Sequence, residues 1–246
     1  MLLTVLGARG AFPEAGDACS GFLVEHDGFR LLLDAGYATF PRLLAVCPAA
    51  GVDAALITHG HPDHCVDLNP LLRARSLADD PPPALPIYAP PGALDAVLAL
   101  DRPGMLDYAL TPVGDGDRLQ IGPFIVDVCE LPHFVPNNGV RVAAGGVALA
   151  YQGDSGPTPD LAALADAAAL LIAEATYPEA VPGHSAGRLS SALDAAAAAT
   201  TAGAGRLLLT HLWPGLPAAA AVDAARSGFA GPVDMADAGQ TWNVTG

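Results

Sequence analysis

The sequence predicts an α/β protein built as a four-layer α/β/β/α sandwich, in which helices cover the outer faces of two sheets. Three observations predict it. Strand patterns cluster in each half of the chain, helical patterns follow each cluster, and no long Pro-, Gly- or Ser-rich linker divides the 246 residues. The 52% hydrophobic content excludes a disordered chain, and the length suffices for a large core. We therefore expect a single domain over residues 1–246.

The elements follow from local patterns in chain order. Short apolar or alternating runs between turn residues, including Asp27-Gly28, predict strands at Leu2–Leu6, Gly21–Glu25, Arg30–Leu33, Asp53–Thr58, Pro86–Ala89, Arg118–Ile121, Phe124–Glu130, Val140–Ala143, Val147–Tyr151, Ala168–Glu174, Arg206–Thr210, Pro232–Met235 and Thr241–Val244. Apolar residues at helical spacing predict helices at Phe40–Val46, Val66–Arg73, Pro91–Leu100, Pro159–Ala165, Gly187–Thr200 and Ala218–Ser227.

The charge composition excludes several functions. The formal net charge is −15, and all 11 basic residues are Arg. Without Lys, the chain has neither a Schiff-base lysine nor a Walker A loop. An acidic surface repels phosphate backbones, so we expect a small-molecule substrate rather than long nucleic acid.

Cysteine usage and hydropathy indicate the compartment. The four Cys are scattered without a CxxC pair, which does not suggest a disulfide framework. The first residues have no basic segment, and no apolar run approaches the length of a membrane span. We therefore expect a soluble, cytoplasmic protein without membrane contact.

The histidines carry the strongest functional signal. Three of the seven lie in the run Thr58-His59-Gly60-His61-Pro62-Asp63-His64, directly after a predicted buried strand. Side chains two apart in an extended loop point the same way, so His59 and His61 can converge on one metal, while Asp63 and His64 can face a second. Imidazole and carboxylate ligands suit Zn²⁺, and they also accept Mn²⁺ or Fe²⁺.

This HxHxDH run after a buried strand resembles the signature of the metallo-β-lactamase superfamily. Three later residues match the remaining ligand positions of that family: His133, Asp154 and His211. The resemblance implies two divalent ions that share Asp154. One would be held by His59, His61, His133 and Asp154, and the other by Asp63, His64, Asp154 and His211.

Further motifs are similar to the phosphodiesterase branch of this superfamily, which includes tRNA 3′-processing endonucleases and small bacterial cyclic-nucleotide phosphodiesterases. They are Ala11-Phe12-Pro13, Glu174-Ala175-Thr176 and Gly183-His184-Ser185. In that branch the His matching His184 faces the scissile phosphate, supported by the Glu matching Glu174. The resemblance implies catalytic roles for both, and Asp63 can also orient the attacking water.

Departures from the tRNA-processing enzymes favour a smaller substrate. Glu14-Ala15 stands where those enzymes carry Arg-Asn, and Ala186 replaces a Thr. The short segment between His133 and Asp154 leaves no space for a tRNA-gripping arm. The sequence thus favours a small phosphodiester such as a cyclic nucleotide.

Other members of the superfamily fit less well. Asp154 stands where the main class of zinc β-lactamases has Cys, His61 where flavodiiron reductases have Glu, and only Arg226 follows His211 for a glyoxalase-type glutathione site. Hydrolysis of a lactone, carboxylic ester or aryl sulfate, RNA processing, and a non-catalytic metal-binding module remain alternatives. The resemblance also suggests a homodimer.

Some residues near the candidate ligands allow either a functional or a structural role. Asn137, Asn138, Arg141 and Trp213 can contact substrate or simply support the fold. Cys65 beside His64 is expected to be a packed thiol, with a redox-sensitive thiol as the alternative.

Overall fold

A computed structural model describes residues 1–246 and contains fourteen strands and seven α-helices. The strands are β1 (Leu2–Gly7), β2 (Gly21–His26), β3 (Phe29–Leu33), β4 (Ala54–Leu56), β5 (Leu85–Ala89), β6 (Tyr108–Pro112), β7 (Arg118–Ile121), β8 (Phe124–Leu131), β9 (Asn137–Ala144), β10 (Val147–Tyr151), β11 (Leu170–Glu174), β12 (Leu207–Thr210), β13 (Val233–Met235) and β14 (Thr241–Asn243). The helices are α1 (Thr39–Leu44), α2 (Pro62–Cys65), α3 (Leu68–Ser76), α4 (Asp95–Leu98), α5 (Pro159–Leu164), α6 (Ala192–Ala202) and α7 (Ala218–Gly228).

The strands form two mixed sheets of the same design. The first has the order β14-β1-β2-β3-β4-β5-β6, and the second has the order β13-β12-β11-β10-β9-β8-β7. In each sheet an antiparallel part continues into a parallel part, from β3 to β6 and from β10 to β13. Parallel strands align their carboxyl ends, so each sheet has one edge at which several loops begin.

Three apolar clusters separate four layers. Phe22, Phe124 and Tyr151 belong to the cluster between the two sheets. The second cluster joins α5, α6 and α7 to the second sheet, and the third joins α1 to α4 to the first sheet. The central cluster buries one face of each sheet, each outer cluster buries the opposite face of one sheet, and removal of this apolar area from water stabilises the layers. The four-layer sandwich expected from the sequence is confirmed.

Two predicted helices are shorter than expected. The one predicted for Gly187–Thr200 begins only at Ala192, because Gly187 has a positive φ of 73° and Ser191 forms a capping box with Asp194. The one predicted for Pro91–Leu100 is reduced to α4, after a turn at Gly92 with a φ of 75°.

Two elements near the first sheet also differ from expectation. The predicted helix Val66–Arg73 corresponds to α3, which begins two residues later at Leu68 and continues to Ser76, and a separate short helix, α2, precedes it. Strand β6 was not expected, because it is an exposed edge strand that ends in Pro112 and lacks a buried apolar face. No helix of the chain combines the length and apolarity needed to cross a membrane.

Candidate metal centre

The seven predicted ligands meet where the carboxyl ends of strands from both sheets face each other. His59, His61, Asp63 and His64 follow β4, and α2 carries the last two. His133 follows β8, Asp154 follows β10 and His211 follows β12. The two sheets thus bring together residues that are far apart in the sequence.

Three imidazoles form the first group. His61 Nδ1 lies 3.1 Å from His59 Nε2 and 3.1 Å from His133 Nε2. Asp154 Oδ2 completes the group at 3.8 Å from His59 Nε2 and 3.9 Å from His133 Nε2. Nitrogen ligands at Zn–N distances of about 2.0–2.1 Å in a tetrahedron lie about 3.3 Å apart, so this spacing suits an ion between them.

The second group is built from two carboxylates and two imidazoles. His211 Nε2 lies 3.0 Å from Asp154 Oδ2 and 3.2 Å from Asp63 Oδ2. His64 Nε2 lies 3.3 Å from Asp154 Oδ1 and 3.7 Å from Asp63 Oδ2. The candidate ligand atoms of each group all lie within 4.8 Å of one another, and Asp154 belongs to both groups.

Two atoms of the cluster lack any hydrogen-bond partner. His64 Nε2 and Asp154 Oδ1 are buried without one. Since buried polar atoms are nearly always satisfied, an unpartnered nitrogen and carboxylate oxygen that face the same space fit a bound cation. The residues present therefore suit divalent metal ions.

The electrostatics also favour a cation. Burial lowers the pKa of His59 well below its usual value and lowers that of His61 and His133, which leaves neutral rings with a free lone pair. Burial opposes ionisation of Asp154, yet the neighbouring His211 and His64 hold its pKa well below the usual range. Burial likewise opposes protonation of His211, but Asp154 and Asp63 raise its pKa to about 10.

A buried hydrogen-bond network orients His64 and His59 from behind. Asp34 Oδ2 lies 2.7 Å from His64 Nδ1 and accepts a hydrogen bond from the Tyr151 hydroxyl at 2.7 Å. Asp34 Oδ1 accepts from the backbone N–H of Thr58, whose hydroxyl lies 3.0 Å from His59 Nδ1. Asp34 itself has a φ of 59°, a conformation that is uncommon for a non-glycine residue and clusters at functional sites.

The sequence reasoning missed this network. Asp34 directly follows β3, a predicted strand, so the rule that places functional side chains at strand ends also applied to it. Tyr151 gave no signal, because its position on an apolar strand predicts only a core residue.

Glu174 lies behind His211 rather than beside His184. Its carboxylate accepts hydrogen bonds from the backbone N–H of Ser155 at 2.6 Å and from the Thr176 hydroxyl at 2.5 Å. The same hydroxyl lies 2.9 Å from His211 Nδ1, so Thr176 connects the carboxylate to the imidazole. Burial and the nearby Asp154 raise the pKa of Glu174 to about 8.

His184 lies in an exposed turn over Gly183–Ser185 and makes no hydrogen bond. The structure therefore does not bring Glu174 and His184 together. It leaves His184 free to reach toward solvent or a ligand.

The residues with open roles differ in their contacts. The Asn137 side chain donates to Gln152 O, and its Oδ1 lies 3.4 Å from the backbone N of Asp154, so it supports the loop of that ligand. Asn138 donates to Val113 O, and Arg141 donates to Leu164 O and Asp166 O. Cys65 is fully buried, and its thiol donates to His61 O at 3.2 Å.

Comparison with known proteins gives the family. The model of the beta-lactamase superfamily domain matches residues 29–212, well over half of the chain. The chain belongs to this superfamily. It has the metallo-β-lactamase fold, and it is a metal-dependent hydrolase of that group.

Individual relatives match over nearly the full length. A probable metallo-hydrolase of Bacillus subtilis, YhfI, is 32% identical, and the match covers 98% of this chain and 99% of the relative. The crystal structure of YhfI superposes with a TM-score of 0.90 at 30% identity, over 98% of this chain and 99% of that one. Ribonuclease Z of Mycobacterium avium is 32% identical over 96% of this chain and 95% of the relative.

Proposed function

We propose that this chain is a phosphodiesterase that holds two divalent metal ions, with Zn²⁺ as the favoured metal, and cleaves a small phosphodiester such as a cyclic nucleotide. Asp154 would be a ligand of both ions. His59, His61 and His133 would complete the first set, and Asp63, His64 and His211 the second. The observation that carries this proposal is the pair of four-residue groups that share Asp154.

The side chains around the proposed metal ions would have different roles in the reaction. Two such ions, when bound, activate water at neutral pH and stabilise charge on the phosphoryl oxygens. The Ala11 backbone N–H donates to Asp63 Oδ2 at 2.7 Å and fixes the carboxylate that can orient the attacking water. His184 is free of other partners and would protonate the leaving oxygen. Glu174 would act through Thr176 by holding the ring of His211 in place.

Two features support a small substrate. The net charge of −15 disfavours a long polyanion. Only the tight hairpin of β9 and β10 separates the loop of His133 from that of Asp154, so no arm projects there to hold an RNA. RNA processing is the second candidate, because ribonuclease Z is 32% identical over nearly the whole chain.

A hydrolysis panel tests the proposal. Metal-loaded protein is assayed with bis-p-nitrophenyl phosphate, a 3′,5′-cyclic nucleotide, precursor tRNA, a β-lactam, a lactone and an aryl sulfate. We expect kcat/KM for the first two to exceed all the others. Asp154→Ala protein, prepared identically, controls for contaminating phosphodiesterases. The proposal would be overturned if kcat/KM for precursor tRNA, the lactone or the aryl sulfate exceeded that for both small phosphodiesters by tenfold or more.

A further inference from the structure

Three aromatic side chains form a cluster at the surface, Phe12, Tyr177 and Trp213, which we call the aromatic triad; Tyr177 is half-buried and the other two are exposed. The Trp213 ring meets Phe12 edge-on with centroids 6.1 Å apart, and it lies nearly parallel to Tyr177 at 6.2 Å and 12°. Phe12 is 50% exposed and Trp213 is 37% exposed. Large aromatic side chains are usually buried, so a contiguous exposed cluster of them marks a contact surface.

The triad is attached to the backbone that carries the candidate metal ligands. Phe12 follows Ala11, whose N–H donates to Asp63 Oδ2. Tyr177 follows Thr176, which contacts His211 Nδ1. The backbone N–H of Trp213 donates to the backbone carbonyl of Thr176 at 3.1 Å, and Trp213 stands two residues after His211.

Close packing fixes these segments against one another. The Gly10 N–H donates to Leu212 O, and a Cβ at Gly10 would lie 2.8 Å from His211 Nδ1. Ala11 and His211 both have a φ of 61°, which is rare for residues with a side chain and persists only where the surroundings enforce it. The triad therefore has a fixed position beside the ligands Asp63 and His211.

The charges near the triad indicate what it can bind. Glu14 lies close to Trp213, since Glu14 Oε2 accepts from the Gly215 N–H at 3.4 Å. The guanidinium of Arg9, three residues before Phe12, is already paired with Asp17 at 2.7 Å. The acidic Glu14 and the paired Arg9 disfavour a phosphate beside the rings, so we place the phosphate of a ligand at the candidate metal centre and an uncharged planar group on the rings.

We propose that the aromatic triad is a stacking subsite for the nucleobase of a nucleotide whose phosphate lies at the metal centre. This inference rests on the proposed phosphodiesterase function and extends it to the part of the substrate that does not react. Stacking on an aromatic ring tolerates every base, because every base has a π-face. The subsite would therefore select nucleotides over alkyl phosphodiesters without selecting one base.

Binding without turnover tests this subsite. The experiment uses metal-loaded Trp242→Phe protein, in which Trp213 is the only tryptophan and therefore the only source of tryptophan fluorescence. Trp242 can be replaced because it lies on β14 beneath Arg206 and is not part of the aromatic triad. Adenosine 5′-monophosphate and ribose 5-phosphate carry the same phosphate and sugar, and only the first carries a base. We expect the nucleotide to quench Trp213 fluorescence and to bind about tenfold more tightly in calorimetry, whereas ribose 5-phosphate should not quench.

Variants of Trp213 separate stacking from phosphate binding. Trp213→Leu should bring the two dissociation constants within about twofold of each other by weakening the nucleotide alone, and Trp213→Phe should keep most of the preference. Equal affinities in the starting protein, or an unchanged preference in Trp213→Leu, would overturn the inference. The inference would also be overturned if the Trp213 emission shifted with protein concentration and did not respond to nucleotide. That result would show that a second copy of the chain covers the triad.

The two proposals can fail separately. If neither bis-p-nitrophenyl phosphate nor the cyclic nucleotide is cleaved while the base preference depends on Trp213, the proposed function is wrong and the subsite stands. If either diester is cleaved but no base preference exists, the subsite is wrong and the proposed function stands.

Discussion

Asp34 Oδ2 lies 2.7 Å from His64 Nδ1, and both side chains are fully buried. This contact orients the imidazole so that Nε2 faces Asp154 and Asp63, and a proton on Nδ1 would leave the Nε2 lone pair for a metal ion. A carboxylate behind a metal-binding histidine both orients the ring and raises its basicity. Tyr151 and Thr58 hold the carboxylate in turn, so the ligand geometry depends on residues outside the ligand set.

We expect Asp34→Asn to weaken metal binding at the second group. The amide keeps the volume of the carboxylate but loses its charge. Replacing a group that hydrogen-bonds a metal-binding histidine typically lowers metal affinity or activity by about 10–100-fold. Metal content after dialysis and hydrolysis of bis-p-nitrophenyl phosphate measure the effect. Asp53→Asn is the matched control, since Asp53 only caps the exposed Arg30 backbone N–H. Unchanged metal content and activity in Asp34→Asn would show that this contact does not position His64.

Asp154→Ala should reduce metal content more than any substitution of a residue that belongs to one group only. We expect about two ions per chain in the unmodified protein, and loss of the shared carboxylate removes a ligand from both sets. Elemental analysis together with hydrolysis measures this. Asp166→Ala removes an exposed carboxylate as a control. Full activity in the Asp154→Ala protein would contradict its role as a shared ligand.

Only part of the candidate ligand set has a local signal in the sequence. Four of the seven residues lie in the run from His59 to His64, whereas the resemblance to the superfamily supplied His133, Asp154 and His211. All seven follow predicted strands, and side chains at the carboxyl ends of strands meet, which agrees with the cluster in the structure. The same patterns predicted most of the strands and helices in both halves of the chain, with β6 and α2 as exceptions.

The parts that sequence reasoning missed depend on tertiary contacts. Tyr151 reaches Asp34 across the space between the sheets, and no spacing in the sequence encodes that contact. The resemblance assigned Glu174 to His184, whereas the folded chain places Thr176 between Glu174 and His211. Strand β6 is stabilised by pairing with β5 and not by an apolar face of its own, so its sequence has no alternating apolar pattern that would predict a strand.

Cys65 should be inert in the native protein. Burial raises the pKa of Cys65 to about 12 and, together with Asp115, that of the half-buried Cys129 to about 11. At pH 8 almost none of the Cys65 thiol would be ionised, and the thiolate is the reactive form. Iodoacetamide labelling read by mass spectrometry should modify Cys129 first.

The pH dependence of iodoacetamide labelling gives a second measurement of the same thiols. Below its pKa, a thiol gains about tenfold in thiolate per pH unit, so labelling of Cys129 should rise about tenfold from pH 8 to pH 9. A free thiol with a pKa of about 8.5 would rise only about threefold over the same interval. Denatured protein, in which all four thiols react, is the control. Labelling of native Cys65 as fast as Cys129 would support a redox-sensitive thiol instead.

His184 and Glu174 should differ in what their removal changes. His184 is exposed and contacts no candidate ligand, so His184→Ala should retain its metal and lose roughly 10²–10⁴-fold in kcat, the usual contribution of one acid–base group. Glu174 is buried and connected through Thr176 to His211, so Glu174→Gln should lose metal together with activity. Elemental analysis and kcat, measured on the same preparations, separate the two effects.

His26→Ala serves as the histidine control, since His26 lies at the end of β2 and apart from the candidate ligands. The leaving group supplies a second criterion. A substrate with a p-nitrophenolate leaving group needs little protonation, so His184→Ala should impair its cleavage less than that of a cyclic nucleotide, whose alkoxide leaving group requires a proton. Equal losses on both substrates would argue against His184 as the acid. A fall in metal content as large as the fall in kcat would make His184 a ligand and assign it to the metal centre itself.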